Sequence, residues 1–210
     1  MIRTTVLALF MTLSGLALAA DAQHKPDLEN AKKIAETVCI ACHGVDGNSQ
    51  TSAYPILAGQ GSDYLFKQLK EFKATETQPA VRINPVMAGM AGTLSLNDMK
   101  DMAAYFSQQK PKLTLAKDAG QRKLGEALWR KGDFERGVQA CAGCHGPTGA
   151  GLPALYPRLS GQYAEYTDLQ LKSFRSEERA NDADKTMRTI ADKLSDKQIK
   201  ALADYIAGLH

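Results

Sequence analysis

Residues 39–43 read Cys39-Ile40-Ala41-Cys42-His43, and residues 141–145 read Cys141-Ala142-Gly143-Cys144-His145. Together these two stretches use all four cysteines of the 210-residue chain. C-x-x-C-H is the attachment signature of c-type haem. Two thiols three positions apart on one helical turn can each form a thioether with a haem vinyl group, and the adjacent histidine then lies under the iron as proximal ligand. A lone C-x-x-C also suits zinc, a redox dithiol or a disulfide. Two copies, each with histidine in the fifth place and no further cysteine to pair, point to two covalently bound haem c groups, attached through Cys39, Cys42, Cys141 and Cys144.

Outward from these motifs the chain repeats itself. An offset of 102 carries the first motif onto the second, Tyr54-Pro55 onto Tyr156-Pro157, Gly59-Gln60 onto Gly161-Gln162, Gln68-Leu69 onto Gln170-Leu171 and Phe72 onto Phe174. Further on the offset is 100, with Met87, Leu94-Ser95 and Tyr105 falling on Met187, Leu194-Ser195 and Tyr205, which implies a two-residue deletion in the second copy. A repeat of this length is a duplicated structural unit. The expected division is a signal peptide over 1–19, an N-terminal unit over 20–109, a linker over 110–119 and a C-terminal unit over 120–210.

Periodicity within each unit is helical, and an all-α fold is expected. Asp27 is a plausible N-cap for a helix with Leu28, Ala31, Ile34, Ala35 and Val38 on one face. The segment after the first motif is rich in turn formers and reads as a loop. Leu65, Leu69 and Phe72 recur at helical spacing between about Asp63 and Lys73. A loop holding Pro79 and Asn84-Pro85 follows. Ser95-Leu96-Asn97-Asp98 then opens a last helix as a capping-box variant, with Leu96, Met99, Ala103 and Phe106 inward. In the second copy Trp129 lies in an extra helical segment ahead of the motif, where a packing role is expected.

Arg3, an apolar run from Val6 to Leu18 and the small-x-small site Ala17-Leu18-Ala19 have the form of a secretory signal peptide cleaved near Ala19. The apolar run is too short for a membrane span, and a periplasmic location is expected. From Ala20 to Gln109 there are 8 Lys and Arg against 10 Asp and Glu, and from Lys110 to His210 there are 17 against 13. Such polarity steers charged partners toward one end of a molecule. No basic run is interleaved with aromatics, so no nucleic-acid partner is expected.

The sixth iron ligand separates a carrier from an enzyme, because an iron capped on both faces passes electrons whereas an open one binds small molecules. Outside the motifs the histidines are His24 and His210, near the two ends of the chain. Methionine is therefore the candidate. Met187 is the second copy's only one, and Met87 lies at the equivalent position of the first. Met90 competes with Met87, whereas Met99 and Met102 read as core of the last helix. Pro55 and Pro157 each follow their motif histidine by twelve residues, and a proline carbonyl there could accept the ring N–H of His43 or His145. Arg82, and Arg175 or Arg179, are candidates to pair with haem propionates.

These residues together resemble the cytochrome c4 family: the two C-x-x-C-H motifs, the P-x-L-x-G segments, the loop methionines, the Leu-Ser pairs before the last helices and the closing A-A-Y-F and A-D-Y-I. The resemblance implies two tandem class I cytochrome c domains related by an approximate twofold. It also implies axial pairs His43 with Met87 and His145 with Met187. The implied function is one-electron transfer, without catalysis, from a quinol-oxidising membrane complex to a terminal oxidase. A monomer is expected, with peripheral association at the inner membrane compatible. The alternatives are a dihaem peroxidase or thiosulfate dehydrogenase, or an electron-accepting subunit bound to a dehydrogenase.

Overall fold

The Asp27 carboxylate accepts hydrogen bonds from the amides of Glu29 (3.1 Å) and Asn30 (2.9 Å), satisfying two of the donors that a helix start leaves unpaired. In the computed structural model, which describes residues 24–154 and 156–210, this cap opens α1 (Leu28–Ile34). The expected signal peptide lies outside the described residues. A π-helical turn over Ala35–Cys39 carries α1 directly into α2 (Ile40–His43), the first motif. The remaining helices of this half are α3 (Ser62–Phe72), α4 (Pro85–Gly92) and α5 (Leu96–Ser107). The second half contains α6 (Arg122–Lys131), α7 (Ala142–His145, the second motif), α8 (Ala164–Arg175), α9 (Thr186–Asp192) and α10 (Asp196–Ala207). No sheet occurs among the described residues, only two isolated bridges. The fold is all-α, with the same arrangement built twice.

In each half the first helix packs on the last, α1 on α5 and α6 on α10. This corrects the reading of Trp129's segment as extra: α6 is the counterpart of α1. What the second half adds is the stretch between α6 and the motif, which the first half replaces by the π-helical turn. Trp129 is fully buried and its indole N–H donates to the Pro147 carbonyl (3.1 Å), so it anchors α6 to the chain just past the second motif. The apolar core of the second half gathers Leu128, Trp129, Leu171, Leu194, Ile199, Leu202 and Ile206. The first half uses Ala31, Ala35, Leu65, Met102, Ala103 and Phe106, with Phe72, Leu94 and Met99 adjoining.

Two expectations about these helices need correcting. The stretch read as a Pro-containing loop includes α4, started by Pro85 at its first turn and by Asn84, whose side chain accepts from the Met87 amide (2.9 Å). Leu96, expected inward, is 59% exposed, because it occupies the first position of α5, ahead of the turn where the helix meets the core. The capping box itself is present, Ser95 and Asp98 each accepting from the other's amide.

Residues 108–121 form no helix or strand, yet they are strapped to both halves. Buried Asn48 donates to the Lys110 carbonyl (3.1 Å) and accepts from the Lys112 amide (2.7 Å). Thr114 donates to the Gly161 carbonyl, and the Lys117 amide donates to Asp204 (2.7 Å). These bonds fix the connection along its length.

Gly125 shows how tightly α6 meets α10. A Cβ there would lie 2.4 Å from the Ala201 carbonyl oxygen and 2.6 Å from the Tyr205 Cβ. Gly125→Ala is therefore expected to destabilise the protein by about 1–3 kcal/mol despite alanine's better helix propensity. Chemical denaturation checks this, and an unchanged or raised midpoint would show that the crossing can relax.

Candidate functional site

The Nδ1 of His43 lies 3.0 Å from the Pro55 carbonyl, and that of His145 lies 3.0 Å from the Pro157 carbonyl. A carbonyl only accepts, so Nδ1 carries the proton and Nε2 presents its lone pair, the tautomer a metal requires. Burial holds both imidazoles below their ordinary pKa, offset in part by the proline carbonyls, so both rings stay neutral at neutral pH. The loop supplying each carbonyl is pinned in the same way twice. Leu57 and Ala58 donate amides to the Gly47 carbonyl, as Leu159 and Ser160 do to Gly149. Tyr54 and Tyr156 stand edge-on to the two rings, each 6.1 Å between centroids.

The four cysteines are half-buried, and none is in a disulfide. Burial, with Cys42 and Cys144 as like-charged neighbours, pushes the thiols of Cys39 and Cys141 up to about 11. They stay protonated at neutral pH, which slows their attack on a disulfide.

Met87 sits on α4, half-buried against the cluster of Phe72, Leu94 and Met99. Met187 sits on α9, half-buried against the core of its own half. Met90 is 43% exposed on the outer side of α4, whereas Met99 and Met102 are buried within α5. Both candidate ligands thus occupy the first turn of a short helix at the same place in each half.

The two halves meet through polar contacts that exchange under the repeat. Gln60 accepts from the Arg158 amide (2.8 Å) and donates to the Arg158 carbonyl (2.9 Å). Its counterpart Gln162 does the same to Ile56, 102 residues before Arg158, at 3.0 Å for both bonds. An interface in which i contacts j and j contacts i is the signature of a twofold.

A second reciprocal cluster lies beside this clasp. Arg82 donates to Gln68 (2.6 Å), Gln170 (2.9 Å) and the Tyr166 hydroxyl (3.2 Å). Arg179 donates to Gln170 (2.7 Å), Gln68 (3.3 Å) and the Tyr64 hydroxyl (3.0 Å). Their guanidinium groups lie over Phe72 and Phe174, at 4.6 and 4.4 Å from the ring centroids. The pairing identifies Arg179 as the partner of Arg82. Arg175 instead donates to the Leu194 carbonyl, as Lys73 does to Leu94. Arg82 and Arg179 are 97 residues apart, so the second copy loses five residues before this point and regains three after it, where the sequence suggested one deletion of two.

Buried Arg179 and half-buried Arg82 share neutral acceptors and, among the described residues, neither forms an ion pair, so that Asp182 near Arg179 only partly offsets the positive charge between the halves. Burial raises the pKa of the Tyr64 phenol, but Arg179, Arg82 and Lys67 outweigh it and hold the group below its ordinary value. Gln60, Gln162, Tyr64 and Tyr166 had no role assigned from sequence. The usable signal was identity repeated at the offset of 102, Gln60 with Gln162 and Tyr64 with Tyr166. The donor set as a whole fits a covalently bound haem c: neutral imidazoles with Nε2 free, paired thiols, thioethers and a cationic cluster suited to carboxylates.

A cytochrome c family model matches residues 28–110 and again 123–210. Cytochrome c4 of Stutzerimonas stutzeri is 47% identical over 97% of this chain and 97% of its own. The crystal structure of reduced cytochrome c4 from Pseudomonas stutzeri superposes with a TM-score of 0.82 at 45% identity, covering 89% of this chain and 100% of that one. The thiosulfate dehydrogenase electron acceptor of Thiomonas intermedia is 38% identical over 80% of this chain and 77% of its own.

Truncating Gln162 to alanine strands a buried amide and carbonyl of Ile56, and Gln60→Ala does the same to Arg158. Each is expected to cost about 2–4 kcal/mol of stability. Denaturant midpoints test this, and a loss below about 0.5 kcal/mol for either would show that the clasp is not what joins the halves.

Proposed function

The chain belongs to the cytochrome c family, within its cytochrome c4 group, and on that premise we propose that it is a periplasmic dihaem carrier, passing single electrons from a quinol-oxidising complex to a terminal oxidase. It is an electron-transfer protein. The observation that supports this reading most strongly is the duplicated donor set: in each half a neutral histidine oriented by a proline carbonyl, and a half-buried methionine on a short helix.

In the proposed assignment His43 and Met87 hold one iron, and His145 and Met187 the other. Thioethers from Cys39, Cys42, Cys141 and Cys144 fix two haems to the chain. Each bound haem c supplies an iron that accepts and returns one electron. Pro55 and Pro157 orient the imidazoles and strengthen them as donors, so little moves when the charge changes. Methionine raises the reduction potential relative to a second histidine, which suits a donor to an oxidase. The exposure of Met90 supports Met87 as the ligand in the first half. Arg82 and Arg179 would hold haem carboxylates between the halves, where the cationic cluster favours the reduced state of both sites. The 20–109 and 120–210 units act as two domains joined by the 110–119 strap.

A second reading, an acceptor dedicated to a dehydrogenase, draws its support from the 38%-identical relative of Thiomonas intermedia. Both readings use the same ligands and differ in partner alone.

Mixing the pre-reduced protein with solubilised respiratory membranes of the source bacterium tests the carrier reading. Cyanide-sensitive reoxidation in air is expected. No reoxidation, together with reduction by thiosulfate in a co-eluting complex, would favour the second reading. Met87→Ala should abolish the red methionine-to-iron charge-transfer band of one haem while Met90→Ala leaves it intact, and the reverse pattern would reassign the ligand. Arg179→Gln should lower the potentials of both haems by tens of millivolts in a redox titration, because lost positive charge favours the ferric state. Unchanged potentials would place the arginine cluster away from the cofactors.

A further inference from the structure

Phe134 is 98% exposed, more than any other large apolar side chain among the described residues. It stands on a tight hairpin between α6 and the second motif, in the stretch that has no counterpart in the first half. The hairpin is firmly held. Asp133 and Val138 exchange both backbone hydrogen bonds (2.9 and 2.8 Å), and the Gly137 amide donates to the Phe134 carbonyl (3.1 Å). Gly132 turns the chain at φ +73°, where a Cβ would fall 2.2 Å from the Val138 oxygen. Gln198 of α10 donates to the Asp133 carboxylate (2.8 Å), and Lys193, just past the end of α9, donates to the Gly137 carbonyl (3.0 Å). Val138, which closes the hairpin, and Cys141 belong to one apolar cluster built on Leu128 and Trp129.

A phenylalanine ring in solvent gains nothing from apolar burial, and here the loop that carries it is held in one conformation from both sides. Its position is telling, since the hairpin stem shares a cluster with the cysteine that anchors the second haem. Around the tip, Arg130, Lys131, Arg136 and Lys193 stand against Asp133 and Glu135, in the half of the chain with the positive surplus. We propose that the Phe134 hairpin is the docking element for a protein redox partner at the second haem, seating the ring in an apolar hollow rimmed by carboxylates on that partner. This rests on the carrier reading above. It makes the two halves unequal, with one equipped for a partner that the other does not address. Aromatic anchors surrounded by a polar rim are typical of small interfaces, and electron-transfer encounters are small and transient. The basic rim steers the encounter.

The test compares Phe134→Ser and Phe134→Trp with the wild type, all carrying haem. Reoxidation is measured with solubilised respiratory membranes of the source bacterium and, as control, with ferricyanide. Phe134→Ser should lower the membrane rate by about tenfold or more, with ferricyanide rates and haem potentials unchanged and Phe134→Trp near wild type. Equal membrane rates for wild type and Phe134→Ser would overturn the docking role and leave the carrier reading standing, whereas a wild type unreactive with membranes would overturn both. A shift in haem potential in Phe134→Ser would place the ring on the cofactor. Loss of sedimentation with protein-free phosphatidylethanolamine–phosphatidylglycerol vesicles would make lipid the occupant. Either result would overturn the proposal.

Discussion

The hydrogen bond from each motif histidine to a proline carbonyl twelve residues on is the constraint around which the structure is arranged. It sets the tautomer, aims Nε2, and fixes the ring against rotation. A proline is suited to supply the acceptor, because its φ is locked and it has no N–H to compete for the carbonyl's neighbours. The bond forms only if the intervening loop folds back in one way. The amides that tie Leu57 and Ala58 to Gly47, and Leu159 and Ser160 to Gly149, do that work twice. The crossing of the first helix on the last, α1 on α5 and α6 on α10, then provides the wall against which each motif is seated.

Duplication explains the interface as well as the sites. Once two copies of one unit face each other about a twofold, any polar group near the axis meets its own counterpart. Gln60 and Gln162 exploit this by each binding the backbone of the other half, and Arg82 and Arg179 by sharing Gln68 and Gln170. The surface so formed is polar rather than oily, and it concentrates positive charge between the two sites, where on the proposed reading it acts on a charge that changes by one with each electron. The symmetry is incomplete: Tyr163 donates to the Ser49 carbonyl, whereas glycine stands at the equivalent position, Gly61. With the braced hairpin present in the second half alone, the two sites sit in different surroundings despite the same donor set.

Much of this was legible in the sequence, because covalent spacing and helical period are both local. The motifs, the Asp27 cap, the Ser95 capping box and the histidine-to-proline register of twelve could be read directly. Helix α4 could not, since Pro85 to Gly92 holds apolar and small residues on every side and shows no amphipathic period. The equivalence of Arg82 and Arg179 was hidden because two gaps of opposite sign look like one when the residues between them differ. Trp129's helix was misplaced for a similar reason: the hairpin displaces it from the offset of 102 that holds around the motif. Leu96 faced outward because period alone does not say where along a helix contact with the core begins.

On the proposed assignment each half encloses an iron held on both faces by protein donors. Haem content per chain, combined with a carbon monoxide difference spectrum of the reduced protein at neutral pH, tests it most directly. Two covalent haems and no carbon monoxide adduct are predicted. A single haem per chain, or an adduct formed at either site without displacement of methionine, would contradict the account.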